Sequence, residues 1–200
     1  MLKTFGGVFL GFFIGFIAML FINTARFSSV QHSVPASKAP SIIPSALENF
    51  QRIIQFKTVS YADPRLFDSI PFLQLQQYLQ QAYPLVHQQL TRELISDYTL
   101  LYHWKGMDTS LSPLLLMAHM DVVPVEEANL SSWKTAPFAG TIKDSCIWGR
   151  GSWDNKINLV SILESTEKLL REHIQPKRSV YFLFSVSKKT GCFSNVSSSY

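Results

Sequence analysis

Residues Leu114 to Lys156 constrain what this chain can fold into more than any other stretch. They open with the apolar run Leu114–Ala118, which delivers His119 and Asp121 at its carboxyl end. They close with a Gly-rich turn, Gly149–Gly151, that delivers Asp154 just ahead of a helical pattern. A continuous apolar run of this kind reads as a strand buried on both faces. An imidazole and two carboxylates at strand and turn ends are the raw material of a metal site. The H-x-D spacing has one specific use. The ring can bind a metal through one nitrogen while the carboxylate holds the N–H of the other. Alone the spacing says little, because a single histidine is more often a satisfied core or surface residue.

The surrounding pattern supplies the scaffold. Ser45 caps a predicted helix running to about Lys57, with Leu47, Phe50, Ile53 and Ile54 on one face. A second helix fits from about Ser69 to Ala82, with Pro71 tolerated in its first turn and Pro84 ending it. Asp97–Trp104 reads as a strand, and Gly106–Ser110 as a turn. Ile157 to about His173 reads as a helix stopped by Pro176, and Ser179–Val186 as a second continuous apolar strand. Strands alternating with helices predict an α/β layer with a largely parallel central sheet. Sites in such sheets lie beyond the carboxyl ends of the strands, where His119, Asp121 and the residues after Val186 all fall.

In front of this part, Phe5–Ile22 is a run of eighteen residues without a charge. That suffices for a helix to span a hydrocarbon core of about 30 Å. A signal peptide is the competing reading, with Lys3 as its basic flank. The apolar run is longer than such peptides carry, and NTARFSS lacks a small-x-small cleavage site, which favours an uncleaved anchor. Gly7, Gly11 and Gly15 form a small-residue face on which a second helix could pack, giving a homo-oligomer. Arg26–Pro44 is a Ser-, Ala- and Pro-rich linker. The net charge is +4, with Lys and Arg scattered and no basic stripe, which argues against nucleic-acid binding. Cys146 and Cys192 are too few for a disulfide framework and too distant for a zinc ribbon. Asn129-Leu-Ser and Asn195-Val-Ser are glycosylation acceptors if this part faces a lumen.

Three ordered strings, AHMDVVPV, Trp133-x3-Pro-Phe-x-Gly140 and IWGRGSWDNK, together resemble the zinc exopeptidase family of carboxypeptidase S, aminoacylase and Gly-X carboxypeptidases. The resemblance covers roughly Ala46 to Val186 and implies part of a three-layer fold. It also implies two zinc ions, with His119 as a ligand of one, Asp121 as its supporting partner and Asp154 as the bridging carboxylate. A cis peptide at Asp154–Asn155 is implied as well. The implied reaction is hydrolysis of a peptide or N-acyl amino acid beside a free carboxylate, with a glutamate as general base.

The resemblance implies an acidic run with two adjacent glutamates after Val186, but the chain reads Ser187-Lys188-Lys189-Thr190-Gly191 there, and no carboxylate follows Glu172. The expected division is therefore an anchor at 1–25, a linker at 26–44, the amino-terminal part of a metallopeptidase domain at 45–186 and a divergent tail at 187–200. The switch fits a changed reading of the gene, such as a retained intron, an alternative exon or a frameshift. Divergence into a non-catalytic membrane-anchored protein, associating through its Gly-rich helix or an exposed sheet edge, is the other account. The expectation is a truncated family member that binds zinc weakly or not at all and hydrolyses nothing. It should also fold poorly, with Ser179–Val186 lacking strand neighbours. The folded part would lie in a lumen or outside the cell, in the secretory pathway or a vacuole, or be secreted if the leader were cleaved.

Overall fold

The computed structural model describes residues 2–28 and 43–186. Most of the predicted linker and all of the tail at 187–200 lie outside them. Two compact units are present, residues 1–40 and 41–200.

The first unit holds helix α1, Leu2–Arg26. Within it Gly6–Arg26 is long and apolar enough to cross a membrane, with a mean hydropathy of 2.2.

The second unit is built from helices α2 (Pro44–Gln55), α3 (Ile70–Ala82), α4 (Pro84–Gln89) and α5 (Lys156–Arg171), with strands β1 (Thr91–Ile95), β2 (Thr99–Trp104), β3 (Leu114–His119), β4 (Thr141–Lys143), β5 (Cys146–Trp148) and β6 (Val180–Ser185). Ser45 does not cap α2. Pro44 takes its first turn, where a missing N–H costs nothing, and Ile43 precedes it with no side-chain cap. At the start of α3 the N-cap is Ser69, whose side chain makes no capping bond, and the Asp68 carboxylate before it accepts the N–H of Ile70. Pro84 does more than end α3: the same fixed φ that stops one helix opens the next, α4.

Four strands form a sheet in the order β1-β2-β6-β3. β1 pairs with β2 antiparallel, β2 with β6 antiparallel, and β3 with β6 parallel. The sheet is mixed, which corrects the expected largely parallel one. β1 went unread because its TRELI sequence lacks apolar alternation, and it forms by folding back on β2 through Ser96 and Asp97, both at positive φ.

The register sorts side chains by face. Leu100, Phe184 and Ala118 align across three strands, as do Tyr102, Phe182 and Leu116. These pack with Ile53, Ile54, Leu75, Leu79, Leu159 and Leu163 of the helices in one core. The other face carries Leu101, His103, Tyr181, Leu183, Leu115 and Met117, none of them buried. The described residues therefore form two layers rather than three. β3, expected to be covered on both faces, is an edge strand with Leu115 and Met117 each 51% exposed. β6 has strand neighbours on both sides, so the uncovered edge falls on β3 and not on the last strand.

Candidate metal site

β3 and β6 run parallel, and their carboxyl ends meet where His119 pairs with Ser185. Beyond that pairing the chain is held by Met120 N–H donating to Ser185 O and Val122 N–H donating to Thr58 O. Thr58, fully buried, adds a hydroxyl bond of 2.6 Å to Met120 O. The segment bearing His119 and Asp121 is thus pinned on both sides.

Asp154 arrives from the opposite direction on the turn after β5. Ser152 N–H donates to Gly149 O and Lys156 N–H to Gly151 O, closing a tight loop that enters α5. Gly151 has φ +88°, and a Cβ there would lie 2.6 Å from Val122 Cγ1, so the close approach of this loop to the β3 exit needs glycine. The Asp154–Asn155 peptide is cis. The Trp133–Gly140 loop is knitted to the turn by Arg150 stacking over Trp133 at 5.1 Å and Lys134 over Trp148 at 4.8 Å.

The three residues singled out from the sequence converge. His119 Nε2 lies 2.9 Å from Asp154 Oδ1. His119 Nδ1 lies 2.9 Å from the main-chain oxygen of Asp121 and 3.5 Å from its carboxylate. A carbonyl oxygen can only accept, so Nδ1 carries a proton and Nε2 is turned toward Asp154. Asp121 therefore meets Nδ1 with both its backbone oxygen, the nearer contact, and its buried side chain, the larger influence on the ring's proton affinity. Asp121, Asp154 and their hydrogen bonds outweigh burial and push His119 up to about 9. The Asp154 side chain is 78% exposed and the His119 side chain 35%. Among the described residues no group of three or more His, Cys, Asp or Glu side chains is disposed to hold a metal ion. The donor set is one imidazole nitrogen and one carboxylate, which suits zinc chemically and fills part of its coordination.

Lys156 was not foreseen. It is fully buried, and its ammonium donates to Ile53 O at 2.9 Å and Phe56 O at 2.7 Å. Burial lowers it to about 7, with Asp121 opposing. The available signal was its place: a cation in the first turn of α5 is disfavoured by the helix dipole, so it had to be used elsewhere.

A mixed sheet thus presents a histidine and an aspartate at its carboxyl rim, with a second carboxylate brought in by a glycine turn, in an α/β protein. Residues 115–188 match the model for peptidase family M20/M25/M40. "Probable carboxypeptidase S-like 2" of Dictyostelium discoideum is 40% identical over 187 residues, covering 89% of this chain and 36% of that protein. Carboxypeptidase S of Saccharomyces cerevisiae is 40% identical over 163 residues, covering 76% and 28% respectively. The mouse N-fatty-acyl-amino acid synthase/hydrolase PM20D1 is 33% identical over 176 residues, covering 82% and 34%. An M20 family metallo-carboxypeptidase of Sulfolobus solfataricus shares the fold at a TM-score of 0.56 and 21% identity, over 72% of this chain and 31% of that one. The chain belongs to peptidase family M20, beside relatives named carboxypeptidase S. It spans about a third of the length of the curated relatives it matches.

Proposed function

We propose that this chain carries the amino-terminal part of a zinc-dependent hydrolase site for peptide or N-acyl amide bonds beside a free carboxylate. The observation that carries the reading is the 2.9 Å approach of His119 Nε2 to Asp154 Oδ1 across the sheet rim. His119 and Asp154 would hold the metal, and a bound zinc would polarise the scissile carbonyl and acidify a water. Asp121 fixes the imidazole through Nδ1, so that Nε2 is the nitrogen offered. The small-molecule substrate class follows the names of the relatives, carboxypeptidase S and N-fatty-acyl-amino acid synthase/hydrolase.

The 200 residues do not catalyse this reaction by themselves. Lys188 and Lys189 stand where the resemblance implies a general base and a further ligand. A cationic pair there repels a metal and accepts no proton from metal-bound water at neutral pH. Helix α1 anchors the protein in a membrane, its charge-free run being of spanning length. A second reading, a non-catalytic membrane protein that associates through its sheet edge, is supported by the exposed apolar side chains of β3.

Calorimetric zinc titration of the full chain in detergent micelles tests the reading. The expected result is weak binding, lost in both His119→Gln and Asp154→Asn, and no turnover of dipeptides or N-acyl amino acids. Zinc binding that survives both substitutions would overturn the ligand assignment. Chelator-sensitive turnover by this 200-residue chain would overturn the inactivity.

A further inference from the structure

We propose that Lys156 is a positioning residue that sets the His119–Asp154 pair. The inference rests on reading that pair as the metal-facing one.

Asp154 is presented on an exposed side chain, so its place depends on the main chain that carries it. That main chain is the loop closed by Lys156 N–H on Gly151 O at 3.0 Å. The Lys156 side chain then leaves the loop and enters the protein, where none of it is exposed. Its ammonium bonds Ile53 O in the last turn of α2 and Phe56 O just beyond. Helix ends leave carbonyls without intrahelical partners and carry partial negative charge, so a cation donor is well matched there. The aliphatic stem passes beside Gly151, where a Cβ would lie 3.2 Å from Lys156 Cδ and 2.6 Å from Val122 Cγ1. Val122 is the residue after Asp121 and is bonded to Thr58 O.

One side chain therefore joins the end of α2 to the glycine turn bearing Asp154, and that turn lies against Val122 of the segment leaving β3 with His119 and Asp121. The buried Asp121 carboxylate supports the ammonium electrostatically. Remove the donors and Ile53 O at the end of α2 loses that partner, while Phe56 O keeps only the N–H of Thr58, and a buried acceptor left unmet costs more than the bond itself is worth. The loop would then move off α2 and carry Asp154 away from the imidazole. A residue serving only general packing would not couple to that one contact.

The test reads the pair directly. The full chain, in detergent micelles and labelled with ¹⁵N in its histidine rings, gives a hydrogen-bonded ring N–H resonance for His119, assigned with His119→Gln. His87, bonded through its own ring to Tyr83 O and Tyr102 OH, is an internal control for the fold. Lys156→Met, which keeps the stem and removes the donors, is expected to lose the His119 Nε2–H resonance and leave that of His87. Lys156→Arg, which restores donors, is expected to recover it. An unchanged His119 resonance in Lys156→Met overturns the proposal. So does loss in Lys156→Arg with His87 intact, and so does loss of both histidine signals in both variants, which would make Lys156 a residue of the whole fold. Zinc added to the unsubstituted chain separates the two readings. If it leaves the His119 resonance untouched, the metal reading fails while the role of Lys156 stands.

Discussion

Gly151 carries the geometric demand of the site in one residue. Its φ of +88° lies where a Cβ is strained, and the space a Cβ would take is already held by Val122 Cγ1 and the stem of Lys156. Backbone strain and overpacking act together there. Gly151→Ala is expected to lower stability by more than about 1 kcal/mol, seen as a lower midpoint in chemical denaturation. A midpoint unchanged within error would mean the turn relaxes freely and does not press on the β3 exit. At this scale the sequence was informative where the chemistry is local. His119, Asp121 and Asp154 could be singled out as candidates because H-x-D and a glycine turn before a helix are short-range patterns, and their implied roles came from the resemblance carried by the three strings. For Lys156 only the misplaced cation in a first helical turn was legible, because its partners at Ile53 and Phe56 lie about a hundred residues away and are main-chain atoms with no sequence signature. The same holds for Glu167, a buried carboxylate of α5 that receives the N–H groups of Leu85 and Val86 at the start of α4. In a sequence it is one more glutamate on a helix.

Among the elements, α2, α3 and α5 were legible because a 3.6-residue apolar period survives any tertiary context. Their ends were less so, since α2 opens on Pro44 with no side-chain cap and the bond at the start of α3 comes from Asp68 and not from Ser69. β3 shows the limit of reading burial from composition. LLLMA is as apolar as a central strand, and yet its odd-numbered residues face no second layer among the described residues. Leu115 and Met117 stand next to Tyr181 and Leu183 of β6, so the exposed side chains extend an apolar face and do not stand singly. An uncovered apolar edge of this kind is a template for pairing with other chains. Met117→Lys is expected to slow aggregation of the detergent-free second unit, followed by light scattering, while changing stability by no more than about 0.5 kcal/mol. A large loss of stability would show that Met117 is packed in a way that its 51% exposure does not suggest.

Across the second unit as a whole, the helical layer is fastened to the sheet by polar contacts as well as by the core. His87 on α4 is central to this. Its Nδ1 lies 2.8 Å from Tyr83 O, which can only accept, so Nδ1 holds the proton and Nε2 accepts from the Tyr102 hydroxyl of β2 at 2.8 Å. The ring is therefore neutral in its native bonds. Burial, aided by Arg92 of β1, holds it below the ordinary imidazole range, against the Tyr83 carbonyl and Glu167 of α5. The sign follows from linkage. Above the unfolded value of about 6.5 neither state binds a proton at this ring, and its contribution is complete. As the pH falls below that, the unfolded chain takes up a proton that the folded one refuses, and stability is lost until the folded ring titrates too. Unfolding free energies of the full chain and of His87→Gln, measured from about pH 7.5 to about pH 5, are expected to differ in slope. His87→Gln should be less stable at the upper end of that range and lose less on acidification. Equal slopes would mean that His87 takes up its proton as readily folded as unfolded, and a difference of the opposite sign would mean that the folded ring is the charged one, with the hydroxyl of Tyr102 as the acceptor in that pair.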